Sequence, residues 1–313
     1  MKRIIIAIVL ALMAVVASAS VPVTLSTDTG EIHGTLSVPD NASRTAVLII
    51  AGSGPTDRNG NSSVTGIATN TYKMLADSLA AHGYASLRYD KRGIAASAAA
   101  ATDESQLTFE AYIDDAAAWV EWLAADERFD RVVLAGHSEG GLIALVAAKR
   151  TDKVVAVVTL AGVGESIDAT LRRQLGTQPE PYRSECMRII DELKAGRKVS
   201  DPMPELAALF RPSVQPFLIS QMRYEPSNEA RTLSQPLLVV QGTTDIQINL
   251  NDAIKLSTVN PRTRLAIVSE MNHVLKICAS LDQQAQMMTY INDTLPLAPT
   301  LVATIVDFLS KLN

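Results

Sequence analysis

The chain has 313 residues, of which 47% are hydrophobic and 19% charged, and this balance excludes a disordered, collagen-like or coiled-coil protein. The 28 basic and 33 acidic residues give a net charge of −5 without a basic block. A nucleic-acid partner is therefore not expected, because phosphate binding needs clustered Lys and Arg. Two cysteines are too few for a disulfide scaffold, and no Cys/His spacing is typical of a zinc site.

The first nineteen residues have the pattern of an export signal. Lys2 and Arg3 precede an apolar run of 13 residues at 4–16, and a small-x-small cleavage site follows and ends at Ala19. The run is shorter than the roughly 17–25 residues that span a bilayer, although an uncleaved membrane anchor is the alternative. We expect 1–19 to be a signal peptide, and the mature chain to be exported to the periplasm or outside without a stable membrane span.

After this segment, strand and helix patterns alternate along the chain. Apolar and polar residues alternate on both sides of a turn at 28–30, which predicts a hairpin of strands 21–26 and 31–38. Apolar runs predict further strands at 46–51, 84–89, 131–135, 154–160, 236–240 and 264–268. Helical periodicity predicts helices at 69–81, 108–125, 138–149, 250–258 and 301–311. Repeated βα units with buried strands predict an α/β fold, with a mostly parallel central sheet and helices on both faces.

Two insertions interrupt this alternation. About 70 residues at 163–234 carry charges, prolines and helical periodicity but no strand pattern, and a structureless loop of that length is improbable in a compact domain. We expect a helical cap there, which divides the core into 20–162 and 235–313. A shorter insertion at 277–299 separates the last strand from the last helix.

A nucleophile motif lies between a predicted buried strand and a predicted helix. The residues Gly136-His137-Ser138-Glu139-Gly140 form G-x-S-x-G, the pattern of a sharp strand-to-helix turn in which small residues on either side of the serine avoid collision. The helix N-terminus behind Ser138 offers backbone N–H groups to an oxyanion. With this motif in this context, the sequence resembles the α/β-hydrolase fold over essentially the whole mature chain, and the resemblance implies that Ser138 is the nucleophile.

A serine nucleophile needs a base, and the chain has four histidines. His33 lies in the predicted hairpin and His82 closes a predicted surface helix. His137 adjoins the serine, and we expect its side chain to point elsewhere. His273 follows the last strand, where the resemblance places the base, and elimination of the other three leads to the same residue.

The acid that orients this base is expected after the penultimate strand. Gly242-Thr243-Thr244-Asp245 is similar to the G-x-x-D acid motif of the family, so Asp245 is predicted to hold the His273 tautomer and to stabilise the imidazolium. Asp252, seven residues further on, is the alternative. We expect Asp252 instead to open the next helix, where an acid is stabilised by the helix dipole.

Two backbone N–H groups are predicted to form the oxyanion hole. One belongs to Glu139, the residue after the nucleophile, and its side chain is expected to be structural. The other belongs to Ser53, in the loop after strand 46–51. The family often has His-Gly-x where this chain has Ala51-Gly52-Ser53, and this departure leaves Gly54 as the alternative donor. The loop sequence GSGPTDRNGN resembles bacterial hydrolases related to the serine aminopeptidase-like group.

Charged residues near these loops have structural interpretations. Asp57 and Arg58 are candidates to bind a polar group of the substrate or to pair locally and hold the loop, and we favour the local pairing. The run 90–93, Asp-Lys-Arg-Gly, resembles the D-x-R-G turn of the same fold and is expected to be structural. In the family the next glycine falls at the position of Ala95.

The two cysteines allow two interpretations. Cys186 lies in the predicted cap and Cys278 follows His273. An oxidising compartment permits a disulfide between them. The alternative is a pair of buried free thiols, which behave as small hydrophobic groups.

The resemblance implies hydrolysis through an acyl-enzyme. Ser138 attacks a carbonyl carbon, His273 transfers the proton, the N–H groups of Ser53 and Glu139 stabilise the oxyanion, and water releases the acyl group. No cofactor or metal is expected, because no segment resembles a phosphate-binding glycine loop or a metal cage. The sequence makes no prediction of oligomeric state.

Small-molecule esters of small or medium acyl chains are the expected substrates, because the triad suffices for a good leaving group. A peptide substrate, cleaved as by a serine aminopeptidase, is the alternative. It needs acidic residues in the cap to bind the substrate amine, and the candidates are Glu180, Glu185, Asp191 and Glu192. A non-catalytic binding protein is less expected, because all three triad residues are present.

The cap is expected to line the acyl pocket and to set substrate size. Its apolar residues at near-helical spacing should mostly pack the cap onto the core, with some facing the serine: Leu206, Leu209, Phe210, Phe217, Leu218 and Met222.

Overall fold

The computed structural model describes residues 18–101 and 103–312. In these residues the chain forms ten strands, eleven α-helices and three short 3-10 helices. The predicted signal peptide lies outside the described residues except for Ser18 and Ala19, which begin the first strand.

Eight of the strands form one mixed sheet in the order β1-β2-β6-β3-β7-β8-β9-β10, and the other two, β4 and β5, form a small hairpin. The ten strands are β1 Ser18–Thr27, β2 Gly30–Pro39, β3 Thr45–Ile50, β4 Asn61–Ser62, β5 Ile67–Ala68, β6 Ala85–Tyr89, β7 Arg131–His137, β8 Val154–Leu160, β9 Leu237–Gly242 and β10 Thr263–Val268. Strands β6, β3, β7, β8, β9 and β10 are parallel to one another, whereas β2 is antiparallel to both β1 and β6. The mostly parallel sheet predicted from the sequence is confirmed.

The helices connect these strands or lie in the two insertions. They are α1 Thr71–Ala81, α2 Phe109–Ala124, α3 Glu139–Ala147, α4 Ile167–Leu175, α5 Tyr182–Lys194, α6 Ala207–Phe210, α7 Gln215–Gln221, α8 Pro226–Arg231, α9 Leu250–Thr258, α10 Gln283–Tyr290 and α11 Pro299–Leu309. The 3-10 helices are Ala95–Ala100, Glu104–Gln106 and Pro204–Leu206. No helix in the described part of the chain is both long and apolar enough to span a membrane.

Alternation along the central strands divides the core into two layers. Ala46, Leu48 and Ile50 of β3 face one layer with α2, α3 and α9, whereas Val47 and Ile49 face the other with α1 and α11. Both faces are therefore covered by helices, as continuous apolar strands require. The carboxyl ends of β3, β7, β9 and β10 lead into the loops that carry the candidate site residues.

The segment 163–234 contains α4 to α8 and has an apolar cluster of its own. Cys186, Ile189, Ile190 and Leu193 of α5 are buried in this cluster with Phe210 of α6. Phe217 of α7 packs instead against the main core, with its ring 5.8 Å from Phe109 and 5.2 Å from Tyr112. The cap thus has a separate interior and contacts the core through α7 and α8, since Ala230 of α8 also packs in the main core.

Candidate active site

Ser138 occupies a strained position between β7 and α3. Its backbone angles are φ 54° and ψ −119°, a left-handed conformation that L-residues rarely adopt. A Cβ atom on Gly136 would lie 2.0 Å from the carbonyl oxygen of Gly140, and one on Gly140 would lie 2.4 Å from that of Ile50. Only glycine fits at these two positions, so the G-x-S-x-G spacing has the steric cause that the sequence predicts.

The structure places Asp245 beside His273. Asp245 Oδ2 lies 2.8 Å from His273 Nδ1 and accepts a second bond from the Gln241 amide at 3.1 Å, while Oδ1 accepts the backbone N–H of Gln247 and Ile248 at 2.8 and 2.9 Å. Burial acts to raise the pKa of Asp245, but His273 and these backbone donors outweigh it and lower the pKa. Asp245 is therefore an ionised acceptor that holds the Nδ1–H tautomer of His273.

Ser138 and His273 line the same cavity, which has a volume of about 140 Å³. Its other walls come from the loop after β3, the start of α1 and the side chains of Gln247 and Tyr290. Among the hydrogen bonds of the described residues, none joins Ser138 Oγ to the His273 ring. Such bonds are often long before substrate binds, so this geometry is compatible with a nucleophile and base that align on the substrate.

Asp252, the alternative acid, has a structural role. It forms a capping box with Asn249 at the start of α9, accepts the backbone N–H of Gly164 at 3.0 Å, and pairs with Arg173 at 3.0 Å. A Cβ on Gly164 would lie 2.2 Å from the Asp252 carbonyl oxygen, which shows how closely the cap's first residues pack on α9. Among the described residues, the side-chain hydrogen bonds of Asp252 go to Gly164, Arg173 and Asn249, and His273 bonds to Asp245 instead.

The predicted oxyanion donors lie on two sides of Ser138. Glu139 is the first residue of α3, so its N–H has no acceptor within the helix. Ser53 follows β3, is exposed, and lines the cavity with Ser138, whereas the alternative Gly54 lines a neighbouring cavity. No backbone acceptor within the described residues pairs with the N–H of either Ser53 or Glu139. Both groups are thus available to an oxyanion.

The Glu139 side chain is buried, as its expected structural role requires. Its Oε1 lies 3.3 Å from Lys91 Nζ, and its Oε2 accepts from Ser53 Oγ at 3.3 Å and from Gln221 of the cap at 3.2 Å. Lys91 is 1% exposed and also donates to the carbonyl oxygen of Gly52 at 2.6 Å. Sequence reasoning did not single out Lys91, and its only signal was its place in the D-x-R-G turn.

His137 does not point away from the site, contrary to the expectation from the sequence. Its ring centroid lies 4.9 Å from that of His273, and its Nε2 donates to the His273 carbonyl oxygen at 2.8 Å. Its Nδ1 accepts from Tyr72 Oη at 2.8 Å, and the same Oη accepts the N–H of Gly52 at 3.0 Å. Burial, and then the neighbouring His273, lowers the pKa of His137 to about 3, so the ring is neutral and connects the two loops. The approach of His137 to the His273 backbone depends on tertiary packing, which the motif does not encode.

The loop that carries His273 has further anchors that the sequence did not reveal. Thr71 Oγ1 donates to the Val274 carbonyl at 2.9 Å, and Asn272 donates to Thr289 Oγ1 at 2.7 Å. The ammonium of Lys276 donates to the carbonyl oxygens of residues 69 and 292 at 2.7 and 3.1 Å, and burial lowers its pKa to about 8. The second insertion is therefore bonded directly to the base loop.

Charged residues around the oxyanion loop pair locally. Arg58 forms a two-nitrogen ion pair with the buried Asp90 at 2.7 and 3.0 Å, while Asp57 accepts backbone N–H groups of its own loop. Arg92 pairs with Asp115. Ala95, at the position of the family's glycine, has φ 45°, so the left-handed turn is kept at the cost of strain.

The cap contributes to a second cavity rather than to the one beside Ser138. This second cavity has a volume of about 360 Å³ and lies next to the first, with Gly54 and Glu139 among its walls. Of the six cap residues considered from the sequence, Phe217 lines it and none lines the first cavity. Phe210, Leu218 and Met222 are buried inside the cap, so their periodicity reflects the cap's own interior.

The remaining candidates do not join the site. Cys186 and Cys278 are free thiols, the first buried in the cap and the second partly exposed. Each acidic residue considered for binding a substrate amine pairs with an arginine: Glu180 with Arg183, Glu185 with Arg188, Asp191 with Arg172 and Glu192 with Arg197. Within residues 18–101 and 103–312, no group of three or more His, Cys, Asp or Glu side chains is arranged to hold a metal ion.

Residues 66–203 match a family model described as serine aminopeptidase, S33. This match includes Ser138 and ends before Asp245 and His273. No curated protein matches the chain in sequence.

Solved structures resemble the chain over nearly its whole length. Est1E from Butyrivibrio proteoclasticus, with ferulic acid bound, is 15% identical with a TM-score of 0.60 over 92% of this chain and 100% of that one. The Pyrococcus furiosus esterase Pf2001 is 16% identical with a TM-score of 0.56 over 94% and 92% of the two chains. A thermophilic esterase from Thermogutta terrifontis, with malate bound, is 18% identical with a TM-score of 0.54 over 94% and 99%. The family match supports a hydrolase, and the structural likeness shows that the chain has the α/β-hydrolase fold.

Proposed function

We propose that this protein is an exported serine hydrolase that cleaves carboxylic esters of small or medium acyl groups through an acyl-enzyme. The observation that carries the proposal is the 2.8 Å bond between Asp245 and His273 on the wall of the cavity that Ser138 also lines. The strained backbone of Ser138 supports the same role, because strain at such a position is typical of functional sites.

The geometry supports the following sequence of steps. Asp245 accepts a hydrogen bond from the Nδ1–H of His273, which keeps that proton, so Nε2 is the free acceptor for the Ser138 hydroxyl proton. The serine oxygen then bonds to the substrate carbonyl carbon, and the N–H groups of Ser53 and Glu139 stabilise the oxyanion. The imidazolium returns its proton to the leaving alcohol, and a water molecule repeats the cycle on the acyl-enzyme.

Ion pairing in the cap favours an ester over the N-terminus of a peptide. The four cap carboxylates considered for binding an amine are each paired with an arginine, and none of the four lines either cavity beside the nucleophile. Glu139 is closer to Ser138, but it is paired with Lys91. Glu104 also lines the second cavity, and it is paired with Arg211. A substrate ammonium group therefore meets no unpaired carboxylate among the described residues that line these cavities.

The size of the cavities supports small or medium substrates. The 140 Å³ cavity is below the roughly 300–1,000 Å³ that binds a drug-sized ligand, and the adjoining 360 Å³ cavity lies near the lower end of that range. We propose that the two substituents of the scissile carbonyl occupy these two spaces, with the oxyanion loop between them.

Activity on a substrate panel tests the proposal. We expect nitrophenyl acetate, butyrate and octanoate to be turned over by the wild type and not by Ser138→Ala, with aminoacyl nitroanilides much slower. Faster cleavage of the nitroanilides would favour the aminopeptidase alternative. Failure on all of these substrates would favour a binding protein on the same fold.

Export is a separate part of the proposal and rests on the sequence of residues 1–19. The intact mass of the protein purified from its native host is expected to correspond to a chain that begins at Ser20. Recovery of the uncleaved chain in the membrane fraction would favour the anchor alternative.

A further inference from the structure

Lys91 is a buried cation that the steps above do not use. It is 1% exposed and its ammonium has two polar partners, the Gly52 carbonyl oxygen at 2.6 Å and Glu139 Oε1 at 3.3 Å. The ammonium also lies 4.8 Å from the centre of the Tyr112 ring. Burying a lysine ammonium group costs free energy, and this cost raises the question of what the two contacts of Lys91 contribute to function.

The Gly52 carbonyl belongs to the same peptide group as the N–H of Ser53. A trans peptide is planar, and its C=O and N–H point in opposite directions. A cation that fixes the Gly52 oxygen therefore also fixes the direction of the Ser53 N–H. It polarises the peptide as well, because a charged donor on the oxygen strengthens the hydrogen bond that the N–H can give.

The remaining bonds of this region hold the same peptide. The N–H of Gly52 donates to Tyr72 Oη at 3.0 Å, so Gly52 is held at both of its backbone polar groups. A Cβ on Gly52 would lie 3.2 Å from the Cβ of Ser138, which shows how closely the loop approaches the nucleophile. Glu139 receives Lys91 on one oxygen and the Ser53 hydroxyl on the other, and thereby links the two residues whose N–H groups face the oxyanion.

We propose that Lys91, paired with Glu139, is a positioning residue that orients and polarises the Gly52–Ser53 peptide as an oxyanion donor. This inference rests on the proposed serine hydrolase function. Lys91 also lines the second cavity, but the Gly52–Ser53 peptide lies between its ammonium and the oxyanion, so its effect on the oxyanion passes through that peptide.

The test compares Lys91→Met with Arg88→Met. Arg88 of β6 is the matched control, because it is also a buried cation but donates to the side chains of Ser37 and Asn59 rather than to the Gly52 carbonyl, and it lines neither cavity. With nitrophenyl butyrate, we expect Lys91→Met to lower kcat by about 10–100-fold with KM within about threefold, since loss of a whole oxyanion donor costs roughly 10²–10³. Arg88→Met is expected to keep kcat within about threefold.

An inhibitor that forms a tetrahedral adduct with Ser138 distinguishes a lost oxyanion donor from a general loss of structure. In a trifluoromethyl ketone adduct, Ser138 Oγ bonds to the ketone carbon, its proton passes to His273, and the carbonyl oxygen becomes the oxyanion. Lys91→Met should weaken this inhibitor by the same factor as kcat/KM. If Lys91→Met folds poorly, Lys91→Met/Glu139→Gln removes both buried charges and should fold while keeping the catalytic defect.

The outcomes distinguish the positioning role of Lys91 from the proposed serine hydrolase function. A folded Lys91→Met or double variant with wild-type kcat and inhibitor affinity, in a wild-type enzyme that depends on Ser138, overturns the positioning role alone. An equal loss in Arg88→Met also overturns it, because the effect is then not specific to the Gly52 carbonyl. A wild type that neither cleaves esters nor binds the ketone overturns the proposed function, and the role of Lys91 with it.

Discussion

The loops at the carboxyl ends of the core strands and the helical cap are stabilised in different ways. The loops are held by polar contacts between distant segments, such as His137 to the His273 backbone and Lys91 to Gly52. The cap is held by its own apolar cluster, and of the six residues considered from the sequence Phe217 is the one that lines a cavity. Changes in the loops should therefore affect the reaction, whereas most changes in the cap should affect stability.

The largest expected effect comes from the triad. Ser138→Ala and His273→Ala should each lower kcat by roughly 10⁴–10⁶, with Asp245→Asn somewhat milder and the double variants far from additive, because the three residues act as a unit. Asp252→Asn is the matched control, since it changes a buried aspartate of the same segment that caps α9. It should lower stability and keep kcat. Full activity in Asp245→Asn with loss in Asp252→Asn would reverse the acid assignment.

Alanine variants of two cap phenylalanines test whether cap residues affect stability alone or also substrate preference. Phe210 is fully buried in the cap cluster, so Phe210→Ala should cost about 3–5 kcal/mol of unfolding free energy and leave the preference among acyl chain lengths unchanged. Phe217→Ala should also lower stability, but it should change the relative kcat/KM for acetate, butyrate and octanoate esters by roughly 1–3 kcal/mol. Denaturant unfolding and ester kinetics measure both quantities. A changed preference in Phe210→Ala alone would show that the cap interior, not the cavity wall, sets specificity.

His137 connects the loop after β3 to the loop that carries His273, and its burial should appear in the pH dependence of stability. The pKa of His137 is about 3 in the folded chain, against an ordinary value near 6.5, so below pH 6.5 the unfolded chain binds a proton that the folded chain does not. Stability contributed by neutral His137 is complete above pH 6.5 and is lost as the pH falls towards 3, by up to about 1.4 kcal/mol per pH unit.

His137→Gln tests this expectation by urea unfolding between pH 7 and pH 4. The glutamine cannot acquire the proton, so the variant should lose less stability than the wild type over this range. His82→Gln, at an exposed helix end, controls for the loss of a histidine elsewhere. Parallel curves for the wild type and His137→Gln would show that His137 is not held neutral by its surroundings.

Much of the fold could be predicted because each strand and helix carries a local pattern. The helix α9 begins and ends as expected, and the alternation in β3 gives its two buried faces. Ser138, Asp245 and His273 could be proposed from motifs and chain order, because parallel strands bring their following loops to one edge of the sheet. The structure places Asp245 beside His273, and His273 and Ser138 on one cavity, whereas their catalytic roles remain predictions.

The parts that were missed depend on contacts between distant segments. Nothing local distinguishes Lys91 from the surface lysines, because its burial comes from the approach of β6, α3 and the oxyanion loop. Periodicity in the cap showed that Phe210 and Phe217 lie on helices, but not that one faces the cap interior and the other the core. The orientation of the His137 side chain was predicted wrongly. Its ring bonds to Tyr72 and to the His273 backbone, which are distant in sequence, so the motif around Ser138 does not reveal these contacts.

The most direct test of the central claim is to identify the residue that becomes acylated. Wild-type protein is mixed with nitrophenyl butyrate, quenched in acid within milliseconds, digested and analysed by mass spectrometry. We predict one butyryl group per chain, on Ser138, which accumulates further in Asp245→Asn if deacylation is slowed and is absent in Ser138→Ala. Ester turnover by the wild type with the acyl group on another side chain, or unchanged turnover in Ser138→Ala, would contradict the account.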